Sequence, residues 1–110
     1  MPLTPDWYAD LLSRLSQARP VTAKKMFGGA GLYLDGVMFG IADDDRIYFK
    51  VDDQTKIRYE SQGMGGWLPH GPESYRELPP DLLDRPEDLG EWMDEAVEVS
   101  RAKAKTRRKR

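Results

Sequence analysis

The stretch from Lys25 to Val51 constrains the fold more than any other part of the chain. It contains two alternating apolar runs separated by Asp35-Gly36, the kind of dipeptide that most strongly predicts a two-residue β-hairpin turn. The register that follows pairs six apolar residues: Leu34 with Val37, Leu32 with Phe39, and Ala30 with Ile41. Because side chains alternate along a strand, all six lie on one face, and a one-residue slip would move them to the other.

A third strand follows the acidic triplet Asp43-Asp44-Asp45. A three-residue loop at this triplet predicts three further apolar pairs: Ile47 opposite Ile41, Phe49 opposite Phe39, and Val51 opposite Val37. Both registers leave one sheet face wholly apolar, and such a face must be covered by other parts of the chain.

The opposite face of the predicted sheet has a different character. It carries Tyr33, Met38, Tyr48, Gly31 and Gly40, with Gly31 opposite Gly40 and Gly40 opposite Tyr48. One interpretation is an ordinary solvent face in which tyrosine covers glycine. The other is a dimer or partner face, because Tyr and Met are enriched at protein interfaces.

Three helices are expected to cover the apolar face of the sheet. Their signals are proline or aspartate at the start, apolar residues at helical spacing, and proline or glycine at the end. They predict a first helix from Thr4-Pro5-Asp6 to Arg19-Pro20, a short second helix over Lys56–Glu60 capped by Asp52-Asp53, and a last helix from Pro86 to Ser100. Two short strands, Gly66–Leu68 and Ser74–Leu78, are predicted between the second and the last helix. The expected fold is therefore a two-layer α+β fold, with an antiparallel meander sheet and the N- and C-terminal helices on one face.

Composition limits the chemistry and the cellular location expected for this chain. The chain has 110 residues and no cysteine, which predicts one domain without disulfides or cysteine-based zinc sites. No apolar run approaches the length of about 18 residues that a membrane span needs. The N-terminus also lacks the basic-then-apolar order of a signal peptide. We therefore expect a cytoplasmic protein.

The net charge of −2 hides a strong asymmetry between residues 1–100 and residues 101–110. The last ten residues contain seven basic residues and no acid: Arg101, Lys103, Lys105, Arg107, Arg108, Lys109 and Arg110. We expect a domain over residues 1–100 followed by a disordered basic tail. The tail is either a solvated extension that folds back on the acidic body or a weak, sequence-independent site for DNA or RNA.

Residues suited to catalysis or cofactor binding lack supporting motifs. The Gly28-Gly29-Ala30-Gly31 segment precedes a strand, whereas a phosphate loop opens a helix, so a tight turn or bulge is the better interpretation. His70 is the single histidine and sits in a Gly/Pro-rich loop. The acidic triplet lacks the ligand spacing of a calcium loop and is expected to be a solvated hairpin tip. We therefore expect no catalytic residues, no metal and no cofactor.

Three aromatic residues, Trp67, Tyr75 and Trp92, could stack on the bases of single-stranded nucleic acid. Such platforms lie in positively charged grooves, whereas the body of this chain is acidic. Core or interface packing is the favoured interpretation.

The block from Lys24 to Phe39, with Met26-Phe27-Gly28-Gly29 and the Asp35-Gly36 hairpin, resembles the TfoX N-terminal domain family. The resemblance continues through Ile47–Asp52, Tyr75–Pro79 and Leu89–Val97, and it covers roughly residues 5–100. It implies a two-layer α+β fold similar to secretion chaperones. The family is named after bacterial regulators of competence genes, in which this domain precedes a C-terminal helical domain, and it brings no catalytic residues.

Two hypotheses about function follow. The first is a non-enzymatic interaction module or accessory regulator that binds a protein partner or a second copy through the face of Tyr33, Met38 and Tyr48. The second is a nucleic-acid-associated protein that acts through the basic tail. An enzyme with a small-molecule substrate is a distant third, because the sequence identifies no site for one.

Overall fold

The computed structural model describes residues 3–26, 29–67 and 71–108, and within them six antiparallel strands form one sheet. The strands are β1 (Thr22–Met26), β2 (Gly29–Leu34), β3 (Val37–Asp43), β4 (Arg46–Lys50), β5 (Gly66–Trp67) and β6 (Gly71–Glu77). Their spatial order is β1-β2-β3-β4-β6-β5. The first four strands form the expected meander, but β6 then pairs with β4 and leaves the short strand β5 at the edge.

Three helices and one 3₁₀ turn accompany the sheet in the described ranges: α1 (Pro5–Ala18), α2 (Lys56–Glu60), the 3₁₀ turn Pro80–Asp84 and α3 (Pro86–Arg108). Helices α1 and α3 pack on the same face of the sheet, which we call the helix-covered face. The predicted α+β fold is thereby confirmed. None of the helices in the described ranges combines the length and apolar character that crossing a membrane requires.

Two-residue turns close the β2–β3 and β3–β4 hairpins. Asp35 and Gly36 have φ angles of 53° and 76°, which confirms the first predicted turn. Asp44 and Asp45 have φ angles of 53° and 56°, so Asp43 belongs to β3 and the predicted three-residue loop is wrong. Aspartate tolerates this left-handed region because its short polar side chain can form local hydrogen bonds.

A β-bulge changes the register between β2 and β3. Tyr33 lies opposite Met38 as predicted, but Leu32 lies opposite Gly40, which leaves Phe39 as an extra residue. A Cβ atom on Gly40 would lie 2.8 Å from a backbone carbonyl oxygen of β4, so the close approach requires glycine. The predicted pairs beyond the bulge are therefore wrong, and the observed ones are Gly31 with Ile41, Ala30 with Ala42, Gly40 with Phe49, and Ile41 with Tyr48.

The helix-covered face contains the main hydrophobic core. Phe39 and Phe49 are fully buried, and their rings meet edge to face with centroids 5.2 Å apart. Leu11 and Leu15 from α1 and Met93 from α3 pack against the same cluster. The apolar stripes predicted for the first and last helices therefore face the sheet.

The start of α1 is fixed by the tip of the second hairpin. Thr4 precedes the helix as predicted, but its side chain makes no cap bond to the helix itself. Its backbone N–H donates to Asp45 Oδ1 at 2.7 Å, and its hydroxyl donates to Asp45 Oδ2. The acidic hairpin tip thus has a structural role that the sequence does not reveal.

Helix α2 is short, and one aromatic contact holds it against α3. Tyr59 is buried, and its ring centroid lies 4.7 Å from that of Trp92. The guanidinium of Arg58 lies 3.9 Å from the Trp92 ring centroid and forms an ion pair with Glu95 at 3.2 Å. Trp92 is therefore part of the core, as predicted, while Ile57 is 60% exposed.

Helix α3 begins at Pro86 as predicted but continues to Arg108. The predicted end of this helix at Ser100 is therefore wrong, because the helical backbone continues through most of the basic segment. Lys103 Nζ donates to the carbonyl oxygen of Val51 at 2.8 Å, which ties the extension to the end of β4. Lys109 and Arg110 lie outside the described residues.

Candidate functional site

The face of the sheet opposite α1 and α3 is the candidate site, and we call it the outer face. The alternation of side chains along the strands places these residues on it: Tyr33 on β2, Met38 and Ile41 on β3, Tyr48 and Lys50 on β4, and Tyr75 on β6. A second, smaller hydrophobic cluster forms there around Ile41, Tyr48 and Tyr75. The outer face is thus partly a core of its own.

One tryptophan covers this smaller cluster. The ring centroid of Trp67 lies 5.6 Å from that of Tyr75 and 6.4 Å from that of Tyr48. Its indole Nε1 donates a hydrogen bond to Asp43 Oδ2 at 2.9 Å, which fixes the ring over the sheet. Trp67, at the end of β5, therefore packs on the outer face. This agrees with the interpretation of Trp67 as a packing residue.

The environment of the outer face favours the neutral form of Tyr48. Burial raises the pKa of the Tyr48 phenol above its ordinary value, and the neighbouring Glu77 carboxylate acts in the same direction. The Lys50 ammonium lies 4.7 Å from the Tyr75 ring centroid, which is a cation–π geometry. This arrangement suits packing and recognition, because a phenol with a raised pKa is a poor general base or nucleophile near neutral pH.

The structure separates the five residues predicted for a partner face. Tyr33 and Met38 are neighbours on the outer face and are half-buried. Tyr48 is only 9% exposed, so it cannot offer a large contact area. Gly31 is buried and lies opposite Ile41.

Gly40 belongs to the opposite side of the sheet. A Cβ atom at this position would lie 3.1 Å from Phe49 Cδ1 and 3.5 Å from Leu32 Cδ1, both on the helix-covered face. The bulge causes this reversal, because the extra residue Phe39 shifts the alternation by one. The predicted pairing of Gly40 with Gly31 and Tyr48 on this face is therefore wrong, and the accessible part of the predicted face is the pair Tyr33–Met38.

The acidic triplet Asp43-Asp44-Asp45 has a structural role. Asp43 accepts the Trp67 indole hydrogen bond, and Asp45 accepts two hydrogen bonds from Thr4. Among the described residues, no group of three or more His, Asp or Glu side chains is arranged to hold a metal ion. Gly28 and His70, which the sequence raised as phosphate-loop and catalytic candidates, lie outside the described residues.

The basic end of α3 is only partly free to meet a partner. Arg101 is exposed, whereas Lys103 is half-buried and bonded to the Val51 carbonyl oxygen. For Lys105, Arg107 and Arg108 the structure describes the helical backbone alone. The helical backbone therefore spaces these basic positions regularly along α3.

Sequence reasoning missed a cleft where α3 passes the end of the sheet. It has a volume of about 920 Å³ and is lined by residues of the first hairpin, β4, β6 and α3, among them Met38, Lys50, Tyr75 and Arg101. The alternation along β4 does place Lys50 on the same face as Tyr48, but it does not reveal the opposite wall. The helical extension that forms the other wall carried no such signal, because its apolar stripe ends near Ser100.

Comparison with known protein families gives one finding. The family model of the TfoX N-terminal domain matches residues 13–100 of the chain. No curated protein gives a significant match. The matched range includes all six strands and ends within α3, before the basic extension.

Proposed function

Because the chain belongs to the TfoX N-terminal domain family, we propose that it is a non-enzymatic interaction domain that serves as an accessory regulator in the cytoplasm. The family implies a domain similar to the N-terminal domain of competence regulators. The proposal adds that this domain works by binding a protein partner through its outer face.

The observation that carries the proposal is the pair Tyr33–Met38. These two half-buried side chains lie side by side on the outer face of the sheet. Tyrosine and methionine both offer large, adaptable contact area, and both are enriched at protein interfaces. Beside them, Trp67 packs on Tyr48 and Tyr75, and Met38 packs against the same cluster.

The uses of the acidic side chains support a non-catalytic role. The carboxylates of Asp43, Asp45 and Asp52 accept hydrogen bonds from Trp67, Thr4 and Thr55. Each of these bonds fixes a strand, a helix start or a turn. Carboxylates engaged in this way have a structural role. General acid–base catalysis needs a carboxyl group within hydrogen-bond reach of a substrate instead.

The test combines sedimentation with affinity capture. The double variant Tyr33→Ala/Met38→Ala should lose either self-association or specific protein partners that the unaltered protein retains. Ile57→Ala is the matched control, because it removes an exposed apolar side chain from α2. Sedimentation velocity over a range of protein concentrations decides whether the partner is a second copy.

Two results would contradict the proposal. One is a protein that sediments as a monomer at every concentration and captures the same proteins with and without the Tyr33–Met38 pair. The other is an equal loss of partners in the Ile57→Ala control, which would place the contact away from the outer face.

A second candidate function is weak binding to nucleic acid through the basic end of α3. The seven basic residues over 101–110 and the helical backbone as far as Arg108 favour it. With Lys103 held by Val51, six basic residues remain, and full contact with duplex phosphates would give a log–log salt slope of about −5. Fluorescence anisotropy with a random-sequence duplex measures this slope.

The decisive variant for this second function keeps the chain length constant. Replacing the basic residues after Ser100 by glutamine, except Lys103, should abolish DNA binding at low salt. Retention of binding by this variant would assign any affinity to the body of the domain and would overturn the role of the helix end.

A further inference from the structure

The cleft between α3 and the end of the sheet has the features of a ligand site. Its volume of about 920 Å³ lies near the upper end of the range for small-molecule pockets. One wall is formed by the first hairpin and by the ends of β4 and β6. The other wall is the segment of α3 from Glu98 to Ala104. Most of this second wall lies beyond residue 100, where the family match ends.

The charges around the cleft favour an anion. Lys50, Arg101 and Lys103 line it, and Glu98 is the single acid among the lining residues. This basic surplus contrasts with residues 1–100, in which nineteen acidic residues outnumber ten basic ones. Lys103 is engaged by the Val51 carbonyl oxygen, and Arg101 is exposed at the rim. These charges would attract a negatively charged ligand to this part of the surface.

An unpaired polar group points to a missing partner at the same place. Ser100 lines the cleft, and its hydroxyl oxygen is buried without a hydrogen-bond partner among the described residues. A buried hydroxyl without a partner is unfavourable by about 1–3 kcal/mol, so such groups are normally satisfied by protein, water or ligand. In its present rotamer the hydroxyl lies beneath the surface of the cleft, and rotation about χ1 would let it donate to the oxygen of a bound anion.

The remaining lining is apolar or aromatic. Val37 and Met38 come from the start of β3, Ala102 and Ala104 from α3, and Tyr75 contributes its ring beside Lys50. A hydrated inorganic ion would leave this surface unused. A ligand with an apolar body would cover it and still place one charged group near the basic residues.

We propose that this cleft binds an organic anion that has an apolar body and one carboxylate or phosphate group. The anionic group lies near Arg101, Lys50 and the Ser100 hydroxyl, and the apolar body packs on Met38 and Tyr75. This inference goes beyond the interaction function proposed above and does not depend on it. Because Met38 belongs to both surfaces, a bound anion would also change the contact area beside Tyr33.

The test titrates the ¹⁵N-labelled full chain with octanoate and with octyl phosphate, followed by two-dimensional NMR. Saturable shifts are expected for the amides of Met38, Lys50, Tyr75 and residues 100–104. Octan-1-ol and octylammonium have the same apolar chain without the negative charge, and they should bind at least about tenfold more weakly if a charge-assisted bond is lost.

Two charge-reversal variants separate a local site from general electrostatic attraction. Arg101→Glu and Lys24→Glu change the net charge equally, and both positions are exposed. Arg101→Glu should weaken octanoate binding at least about tenfold, whereas Lys24→Glu, on β1, should leave it unchanged. Ser100→Ala should weaken it by a smaller factor.

Three outcomes would overturn the proposal: absence of saturable shifts at the cleft with either anion, equal binding of octan-1-ol and octanoate, or equal binding by the two charge-reversal variants. Far-UV circular dichroism of Arg101→Glu checks that α3 is retained. Should the helix be lost, Arg101→Gln, which adds no negative charge, provides the same comparison.

Discussion

The two faces of the sheet are buried by different means. On the helix-covered face, two long helices bring apolar stripes onto Phe39 and Phe49, and both rings are 0% exposed. On the outer face, Trp67 and Met38 pack against the smaller cluster that contains Tyr48 and Tyr75, which keep 9% and 6% of their surfaces exposed. The first face therefore depends on contacts between distant helices and strands, and the second on a smaller, more local set of side chains.

This difference separates stability from function. A face packed by helices cannot offer its side chains to a partner without unfolding the domain. A face with a local cover can keep part of its surface open, as the Tyr33–Met38 pair shows. The proposed interaction surface and the proposed ligand cleft both lie beside this weaker cover.

The largest effect is expected from Phe39→Ala, which removes a fully buried ring from the helix-covered face. The loss of its contacts and the cavity left behind should lower the free energy of unfolding by about 3–5 kcal/mol. Urea denaturation followed by circular dichroism measures the change. Ile57→Ala, at a residue that is 60% exposed, should change it by less than about 0.5 kcal/mol. Similar losses in the two variants would contradict the assignment of the core.

A smaller effect is expected from Gly40→Ala, which tests the bulge. The new Cβ would lie 2.8 Å from the Tyr48 carbonyl oxygen, and this backbone atom cannot move away without disturbing the β3–β4 pairing. We expect a loss of about 1–3 kcal/mol in the same denaturation experiment. Gly65→Ala is the control, because no atom lies within 4 Å of the corresponding Cβ position. A neutral Gly40→Ala variant would show that the register is wrong.

The bulge also shows what the sequence can and cannot predict. Alternation and Asp35-Gly36 predict the first hairpin correctly as far as the pair Tyr33–Met38. Nothing in the alternation reveals that Phe39 is an extra residue, because Gly40 fits either register by sequence pattern alone. Only the approach of Gly40 to the backbone of β4 decides between them.

Two errors in the predicted register cancel on β4. The bulge shifts β3 by one residue, and the turn at Asp44 and Asp45 is one residue shorter than predicted. Ile47, Phe49 and Val51 therefore belong to the core under the helices as predicted, although Ile47 lies opposite Ala42 and Phe49 opposite Gly40. The predicted core of β4 is correct because burial follows the pattern within a strand, whereas pairing depends on turn geometry.

The helical extension beyond Ser100 and the cleft are harder to predict from a sequence pattern than the hairpins are. Beyond Ser100 the apolar positions end, which normally indicates fraying. Lys103 bonds to a carbonyl oxygen from a strand 52 residues earlier in the chain, and such a contact has no local signal. The cleft depends on this contact, so it could not be predicted either.

A third prediction concerns the cover of the outer face. Trp67→Ala should lower the free energy of unfolding by about 1–2 kcal/mol, less than Phe39→Ala, because Trp67 is only half-buried. It should also lower the pKa of Tyr48 towards its ordinary value, since burial is the main cause of the upward shift. Alkaline spectrophotometric titration of the tyrosines measures this change.

The sign of this pH effect follows from linkage. A phenol whose pKa is raised by folding contributes stability below its unfolded pKa of about 10, and this contribution is lost as the pH rises through the folded pKa. Trp67→Phe keeps a ring over Tyr48 but removes the donor to Asp43, so it should change the Tyr48 titration less than Trp67→Ala. Equal titrations in both variants would contradict the role of the ring as a cover.

The smallest effect is expected at the junction between β4 and the helical layer. Asp52 Oδ1 accepts the backbone N–H groups of Thr55 at 2.8 Å and Gln54 at 3.0 Å. These bonds, with Thr55 first, hold the pKa of Asp52 below its ordinary value. The ionised carboxylate therefore contributes stability above about pH 4, and this contribution is lost as the pH falls through the lowered folded pKa.

The variant Asp52→Asn should accordingly lower the free energy of unfolding by about 1 kcal/mol at neutral pH, and the difference from the unaltered protein should shrink towards pH 2. Urea denaturation at several pH values measures both quantities. Asp53→Asn is the matched control, since its side chain is 94% exposed and lies 3.7 Å from Lys56 in a surface ion pair. If Asp53→Asn produced the same acid-dependent difference, general charge repulsion would explain it. A difference confined to Asp52→Asn would instead show that the ionised Asp52 carboxylate stabilises the turn that follows β4.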